Sequence, residues 1–120
     1  MKILIVDDSR AMRRIIQRTL RQAGYRGHEI LEAENGAEAL ELVRRERPDL
    51  ILSDWHMPQM NGLEFKQALN AEGIDTTFGF VTSESTQEMR NLAAEAGADF
   101  LLAKPFTAND MAQVLGMVVG

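Results

Sequence analysis

Short apolar runs that alternate with amphipathic segments are the feature that most constrains the fold of this chain. The clearest runs cover residues 3–6, 50–53, 78–81 and 100–103, and a weaker one lies near 28–33. Strands with nearly continuous apolar runs are usually buried on both faces, as in a parallel sheet that is covered by helices. The sequence therefore predicts a doubly wound α/β fold built from five strand–helix units.

The same pattern predicts the bounds of each element. Predicted strands cover about 2–7, 28–33, 50–54, 77–82 and 99–103, and predicted helices cover about 10–23, 36–46, 61–72, 86–96 and 107–119. The first helix should bury an apolar stripe made of Met12, Ile15, Ile16, Leu20 and Ala23. Two helix starts have the spacing of an N-cap followed by a first-turn carboxylate, namely Asn35 with Glu38 and Ser85 with Glu88.

Length and composition narrow the class of protein. At 120 residues the chain is predicted to form a single domain, residues 1–120, that is large enough for a full core. It has no cysteine, which excludes disulfides and thiolate metal sites. No apolar stretch approaches the roughly 20 residues that span a bilayer, and Asp7 follows the N-terminus too soon for a signal peptide. We therefore expect a soluble cytoplasmic protein that does not associate with membranes.

Charge is unevenly distributed along the chain. Residues 1–26 carry a balance of +5 and residues 27–120 a balance of −10, which gives a formal net charge of −5. Four arginines of the first predicted helix share a face at helical spacing, namely Arg10, Arg14, Arg18 and Arg21. Nucleic-acid binding normally requires a domain that is basic as a whole. We therefore interpret this face as solvated and expect no direct binding of nucleic acid by this domain.

Polar side chains follow four of the apolar runs. Asp7 and Asp8 follow the first run, Asp54 the third, Thr82 the fourth and Lys104 the fifth. In an open parallel sheet the carboxyl ends of the strands lie along one edge, and such folds bind their ligands there. Each signal taken alone also fits a turn or a helix cap. Their joint order along one α/β pattern predicts a single functional site.

The residue types indicate the chemistry of that site. Three carboxylates in one pocket cost free energy unless a cation or altered protonation relieves their repulsion. Oxygen ligands favour Mg²⁺ or Mn²⁺ over zinc, and the adjacent carboxylates of Asp7 and Asp8 would hold the metal. Asp54 stands alone after its strand, so it is the predicted nucleophile toward phosphorus. Lys104 and Thr82 could then contact the phosphoryl oxygens.

Four segments of this chain resemble the response-regulator receiver family of two-component signalling, and its CheY-like members in particular. They are Val6-Asp7-Asp8, residues 53–62 (SDWHMPQMNG), Val81-Thr82-Ser83 and Lys104-Pro105-Phe106. The resemblance covers residues 2–119 and implies a flavodoxin-like, five-stranded parallel sheet of strand order 2-1-3-4-5 with helices on both faces.

The resemblance also implies a role for each site residue. Asp54 would accept a phosphoryl group from the phosphohistidine of a histidine kinase. Side chains of Asp8 and Asp54 and the backbone carbonyl of His56 would bind Mg²⁺ (or Mn²⁺), with Asp7 acting partly through water. Lys104 would contact the phosphoryl group.

Further implications concern switching and output. The Thr82 hydroxyl would turn toward the phosphoryl group, and the Lys104–Pro105 bond would be cis. The output surface for a downstream protein would be helix four, strand five and helix five, controlled by a two-state equilibrium that the added phosphate biases. The domain would promote only its own phosphorylation and dephosphorylation, so it would not be an enzyme for an external substrate.

Some positions depart from the family pattern or stay open. The place of the usual switch aromatic, three residues before Lys104, holds Leu101, and the ring lies one residue earlier at Phe100. Adjacent strand residues point to opposite faces, so Phe100 should not replace that aromatic. The His56 ring and Glu84 are predicted to flank the mouth of the site.

Other classes of protein fit the sequence less well. An aspartate-nucleophile phosphatase of the haloacid-dehalogenase type requires Asp-x-Asp, whereas this chain has Asp7-Asp8-Ser9. Nucleotide binding of the Walker type requires a Gly-x-x-x-x-Gly-Lys motif, which this chain lacks. Besides that phosphatase class, two stronger alternatives remain open. One is an interaction module that acts without phosphorylation, and the other is the receiver part of a longer DNA-binding regulator.

Overall fold

The computed structural model describes residues 1–119, so Gly120, the last residue of the predicted domain, lies outside the described residues. Strands and helices alternate along the chain. The strands are β1 (Lys2–Val6), β2 (Glu29–Ala33), β3 (Leu50–Ser53), β4 (Thr77–Thr82) and β5 (Phe100–Ala103). The helices are α1 (Arg10–Gln22), α2 (Gly36–Glu46), α3 (Gly62–Ala71), α4 (Gln87–Glu95) and α5 (Ala108–Val118). Within residues 1–119, no helix combines the length and the apolar character needed to cross a membrane.

All neighbouring strands pair in parallel in the order β2-β1-β3-β4-β5, which confirms the predicted fold. Because side chains alternate along a strand, the sheet has an apolar core on each face. One core contains Ile3, Ile5, Leu50, Leu52 and Val81 together with apolar residues of α1 and α5. The other contains Leu4, Val6, Ile51, Phe78 and Phe80 together with apolar residues of α2, α3 and α4.

Helix α1 corrects one sequence prediction. Ile16 and Leu20 are buried as expected, but Ile15 is 38% exposed. Arg13 is buried instead, on the opposite edge of the stripe, because it lies three residues before Ile16 and so shares the face that packs against the protein. The exposed face carries the arginines predicted to be solvated, namely Arg10, Arg14, Arg18 and Arg21.

Helix starts agree with the sequence in one case and differ in another. The Asn35 side chain accepts a hydrogen bond from the Glu38 N–H at 2.9 Å, which confirms this N-cap. The predicted Ser85 cap is wrong, because α4 begins one residue later than that cap requires. Thr86 directly precedes the helix, and its hydroxyl accepts from the Met89 N–H at 3.1 Å.

The pairing of β4 with β5 places Gly79 opposite Phe100. The Phe100 ring covers Gly79 so closely that a Cβ atom there would overlap three ring carbons. Phe100 packs against the core shared with α1 and α5, whereas Leu101 packs against the opposite core. The prediction that these two neighbours face opposite sides of the sheet is confirmed.

Candidate functional site

The carboxyl ends of β1 and β3 bring three acidic side chains together. Asp7 and Asp8 follow β1, and Asp54 follows β3, the strand that pairs directly with β1. One carboxylate oxygen from each residue lies within 4.8 Å of the others. The structure therefore brings together the three carboxylates that the sequence predicted to share a pocket.

Asp7 is the most firmly held member of this group. Asp7 is only 1% exposed, and its Oδ1 accepts a hydrogen bond from the Ser9 N–H at 2.9 Å. Its Oδ2 accepts from the Lys104 ammonium at 3.0 Å, and its own N–H donates to the Ala33 carbonyl at 3.1 Å. The same backbone turn presents Asp8, whose side chain is exposed to solvent.

Asp54 lies beside this pair and remains partly open to solvent. Its N–H donates to the Val6 carbonyl at 2.8 Å, which ties it to β1. Its Oδ1 accepts from the Trp55 N–H at 2.7 Å, and its Oδ2 lies 3.4 Å from the Lys104 ammonium. With 12% of its side chain exposed, Asp54 is both anchored and reachable from outside.

Lys104 and Thr82 complete the site from the other half of the sheet. The Lys104 ammonium lies between Asp7 and Asp54, and the Lys104 backbone N–H donates to the Thr82 carbonyl at 2.8 Å. The Lys104–Pro105 bond is cis, as the resemblance implied. Thr82 is fully buried, yet its hydroxyl oxygen has no hydrogen-bond partner among residues 1–119. A buried hydroxyl without a partner is costly, so this group is available to a ligand.

Two glycines fix the loop that follows Asp54. The Gly62 N–H donates to the Trp55 carbonyl at 2.8 Å, and a Cβ on Gly62 would overlap the Asp54 carbonyl. The Gly36 N–H donates to the Met60 carbonyl at 3.0 Å, and a Cβ there would lie 2.7 Å from that same oxygen. The first residues of α2 and α3 thereby clamp the loop in the shape that presents Asp54.

His56 and Glu84 each lie two residues beyond a site residue and face each other. Their Nε2 and Oε1 atoms lie 3.4 Å apart, and the two side chains are 58% and 61% exposed. That the ring flanks the mouth of the site opposite Glu84 stays a prediction. The role predicted for the His56 backbone carbonyl as a metal ligand stays a prediction.

Sequence reasoning missed one residue that contacts the site. Arg13 donates from Nη1 to the Asp7 carbonyl at 2.7 Å and from Nε to Glu32 Oε1 at 2.9 Å. An arginine three residues before a core isoleucine, on the face that the helix buries, is the signal that could have identified it. The sequence alone could not show that its guanidinium reaches the end of β1.

The donor set of the pocket fits a hard divalent cation. Three carboxylates supply oxygen ligands, and the only basic group that contacts two of them in the described chain is Lys104. Mg²⁺ is commonly held by one or two carboxylates together with water and a phosphate oxygen. The residues present therefore suit Mg²⁺, and they suit a nucleophilic carboxylate next to donors for a phosphoryl group.

Comparison with known proteins agrees with this geometry. A family model described as the response regulator receiver domain matches residues 3–116. The chemotaxis protein CheY homolog of Campylobacter jejuni is 40% identical, with 100% of this chain and 93% of that protein covered. The chemotaxis protein CheY1 of Helicobacter pylori is 37% identical, with 100% of this chain and 98% of that protein covered.

A solved structure is similar over nearly the whole chain. The chemotaxis protein CheY4 of Vibrio cholerae superposes with a TM-score of 0.86 at 34% sequence identity. The match covers 98% of this chain and 97% of that one.

Proposed function

The chain belongs to the response regulator receiver domain family, and we propose that Asp54 accepts a phosphoryl group from the phosphohistidine of a histidine kinase. One observation carries the proposal. The Asp54 carboxylate lies among two other carboxylates and the Lys104 ammonium, and Thr82, at the end of the neighbouring strand β4, has a buried hydroxyl with no partner in the described chain. In this proposal residues 1–120 form one receiver domain that acts in the cytoplasm.

The geometry suggests how Asp54 reacts. Its Oδ1 accepts the Trp55 N–H, so Oδ2, the oxygen beside Lys104, is the one left to attack phosphorus. A bond forms between Oδ2 and phosphorus while the bond from phosphorus to the imidazole nitrogen breaks, and that nitrogen keeps the electron pair. Lys104 and Thr82 then donate to the phosphoryl oxygens, which satisfies the Thr82 hydroxyl.

A divalent cation belongs to this proposal. Carboxylates of Asp7, Asp8 and Asp54 and the carbonyl of His56 would hold Mg²⁺ or Mn²⁺, with Asp7 acting partly through water. When bound, the cation supplies positive charge that offsets the repulsion between the carboxylates and the incoming phosphoryl group. Asp7 keeps its place through its own hydrogen bonds, so the pocket is arranged before the phosphodonor arrives.

We assign the output surface to α4, β5 and α5. Strand β5 is at the edge of the sheet, and Ala93 is the only residue of α4 that is buried. Phosphorylation adds about −1.5 to −2 charges, which would bias a two-state equilibrium that a downstream protein reads. Proteins of this family are regulators, and the chemotaxis relatives favour a role of this chain in chemotaxis.

Acetyl phosphate, Mg²⁺ and intact-mass spectrometry test the assignment. One phosphoryl group should add to the wild-type protein and to Asp75→Asn, which removes an exposed carboxylate outside the pocket. It should not add to Asp54→Asn. An equal adduct in Asp54→Asn would contradict the assignment. Mg²⁺ binding without any adduct in the wild type would instead favour an interaction module that acts without phosphorylation.

A further inference from the structure

Arg13 differs from the other arginines of α1. Arg10, Arg14, Arg18 and Arg21 lie on the exposed face of the helix, whereas Arg13 is 7% exposed and faces the protein. A charged side chain is rarely buried unless it is paired and hydrogen-bonded. The contacts of the Arg13 guanidinium therefore indicate what it stabilises.

The guanidinium joins three secondary-structure elements. From α1 it reaches the Asp7 carbonyl, which directly follows β1, at 2.7 Å, and Glu32 on β2 at 2.9 Å. Two different nitrogens make these contacts, so both acceptors are held at the same time. Glu32 pairs with Ile5 across the β1–β2 ladder, which fixes its position relative to the end of β1.

We propose that Arg13 is a positioning residue that fixes the Asp7–Asp8 turn and thereby sets the affinity of the acidic pocket for Mg²⁺. The inference deepens the proposed function and rests on it. Arg13 contacts no carboxylate of the pocket, and it acts through the backbone carbonyl of Asp7. The same peptide unit leads into Asp8, whose exposed side chain has little else to orient it. Groups one contact away from a metal commonly control its affinity in this way.

If Arg13 acted only through its charge, the opposite effect on Mg²⁺ affinity would be expected. Arg13 carries a positive charge close to a pocket that should attract a cation. If the charge were all that mattered, its removal would make Mg²⁺ bind more tightly, and a change to lysine would leave binding unchanged. If position matters, both changes should weaken binding. A lysine has one nitrogen on a flexible chain and cannot hold both acceptors as the planar guanidinium does.

Isothermal titration calorimetry with Mg²⁺ alone, without a phosphodonor, tests the proposal on Arg13→Lys and Arg13→Met. Both variants should bind Mg²⁺ about tenfold more weakly than the wild type, as is typical when a group behind a metal ligand is removed. Thermal unfolding in EDTA shows whether each variant is folded at the temperature of the titration. If Arg13→Met is unfolded there, Arg13→Lys, which keeps the charge, decides the question.

Two control variants separate position from general effects. Arg44→Lys changes another arginine that pairs with carboxylates, Glu41 and Glu72, away from the pocket. Thr19→Ala removes a buried hydroxyl from α1, where it donates to the Ile15 carbonyl. Both controls should bind Mg²⁺ as the wild type does, even where they lower the unfolding temperature.

Several results would overturn the proposal. Wild-type affinity in Arg13→Lys, tighter binding in Arg13→Met, or equal weakening in the two control variants would each show that Arg13 does not position the turn. Failure of the wild-type protein to bind Mg²⁺ would overturn the proposed function, and this inference with it.

Discussion

Replacing Gly79 by alanine should destabilise the fold through one contact. A Cβ on Gly79 would overlap the Cζ, Cε1 and Cε2 atoms of Phe100, so the ring would have to move. Phe100 packs with the core beneath α1 and α5, where a displaced ring meets other side chains. Added atoms in a well-packed core typically cost about 1–3 kcal/mol of unfolding free energy.

The backbone contributes in the opposite direction. Gly79 does not lie at positive φ, so alanine is compatible with its conformation. Alanine in the middle of a strand is favoured over glycine by roughly 0.5–1 kcal/mol, because it loses less conformational freedom on folding. The net loss for Gly79→Ala should therefore be about 1 kcal/mol. In a Phe100→Ala background the overlap is absent, and the same change should stabilise by about 0.5–1 kcal/mol.

Urea unfolding monitored by Trp55 fluorescence and by circular dichroism measures both effects in a double-mutant cycle. The coupling between Gly79 and Phe100 should be about 2 kcal/mol. Gly116→Ala on α5 is the matched control, because a Cβ there meets no atom within 4 Å. That variant should gain stability, by roughly 0.5–1 kcal/mol. Equal destabilisation by Gly79→Ala in both backgrounds would refute the reasoning.

Other changes have equally direct outcomes. Thr82→Val should raise the stability of the metal-free protein by on the order of 1 kcal/mol, because it removes a buried hydroxyl that has no hydrogen-bond partner among residues 1–119. A fall in thermal stability in EDTA would contradict this. Asp8→Ala should raise the unfolding temperature in EDTA by reducing like-charge repulsion, and it should weaken Mg²⁺ binding measured by titration. Arg44 holds the pKa of Glu72 below its usual value of 4.5, so this pair stabilises the protein above that value and ceases to do so as the pH falls through the lowered pKa. Arg44→Met should therefore lower stability against urea at neutral pH and have no effect in strong acid; an equal loss at both would argue against the pair. Phe100 should keep its place over Gly79 when beryllofluoride, which stands in for the phosphoryl group, is bound, and a structure with the ring beside Thr82 would disprove this.

Most of the fold could be predicted because its signals are local. The apolar runs and the Asn35 cap each act within a few residues, and the predicted bounds agree with the structure to within one residue at either end of each element. The errors arose where the local pattern leaves two residues as candidates. Ser85 and Thr86 are both good capping residues, and Arg13 and Ile15 lie on opposite edges of the α1 stripe. Only packing against the rest of the protein decides between them.

The site could be predicted as a cluster because parallel strands end at a common edge. That rule brings Asp7, Asp54 and Lys104 together without any knowledge of the register between strands. The contacts of Arg13 and of Gly79 could not be foreseen in this way. They depend on which residue lies opposite on another element, which the hydrophobic period does not specify.

The register between β4 and β5 also limits how the proposed phosphorylation switch could work. Leu101 lies on the same face as Phe80, and it holds the place where the resemblance to the receiver family predicted an aromatic side chain. A slip of β5 by one residue could bring Phe100 to that face, but it would remove the ring from Gly79, the one position of β4 without a side chain. A β4 residue with a side chain would then replace the glycine beneath that ring. The cost in free energy of unfolding would be similar to that expected for Gly79→Ala. The conformational response to phosphorylation should therefore leave β5 in register and arise in the segment from Thr82 to α4, where most residues are exposed.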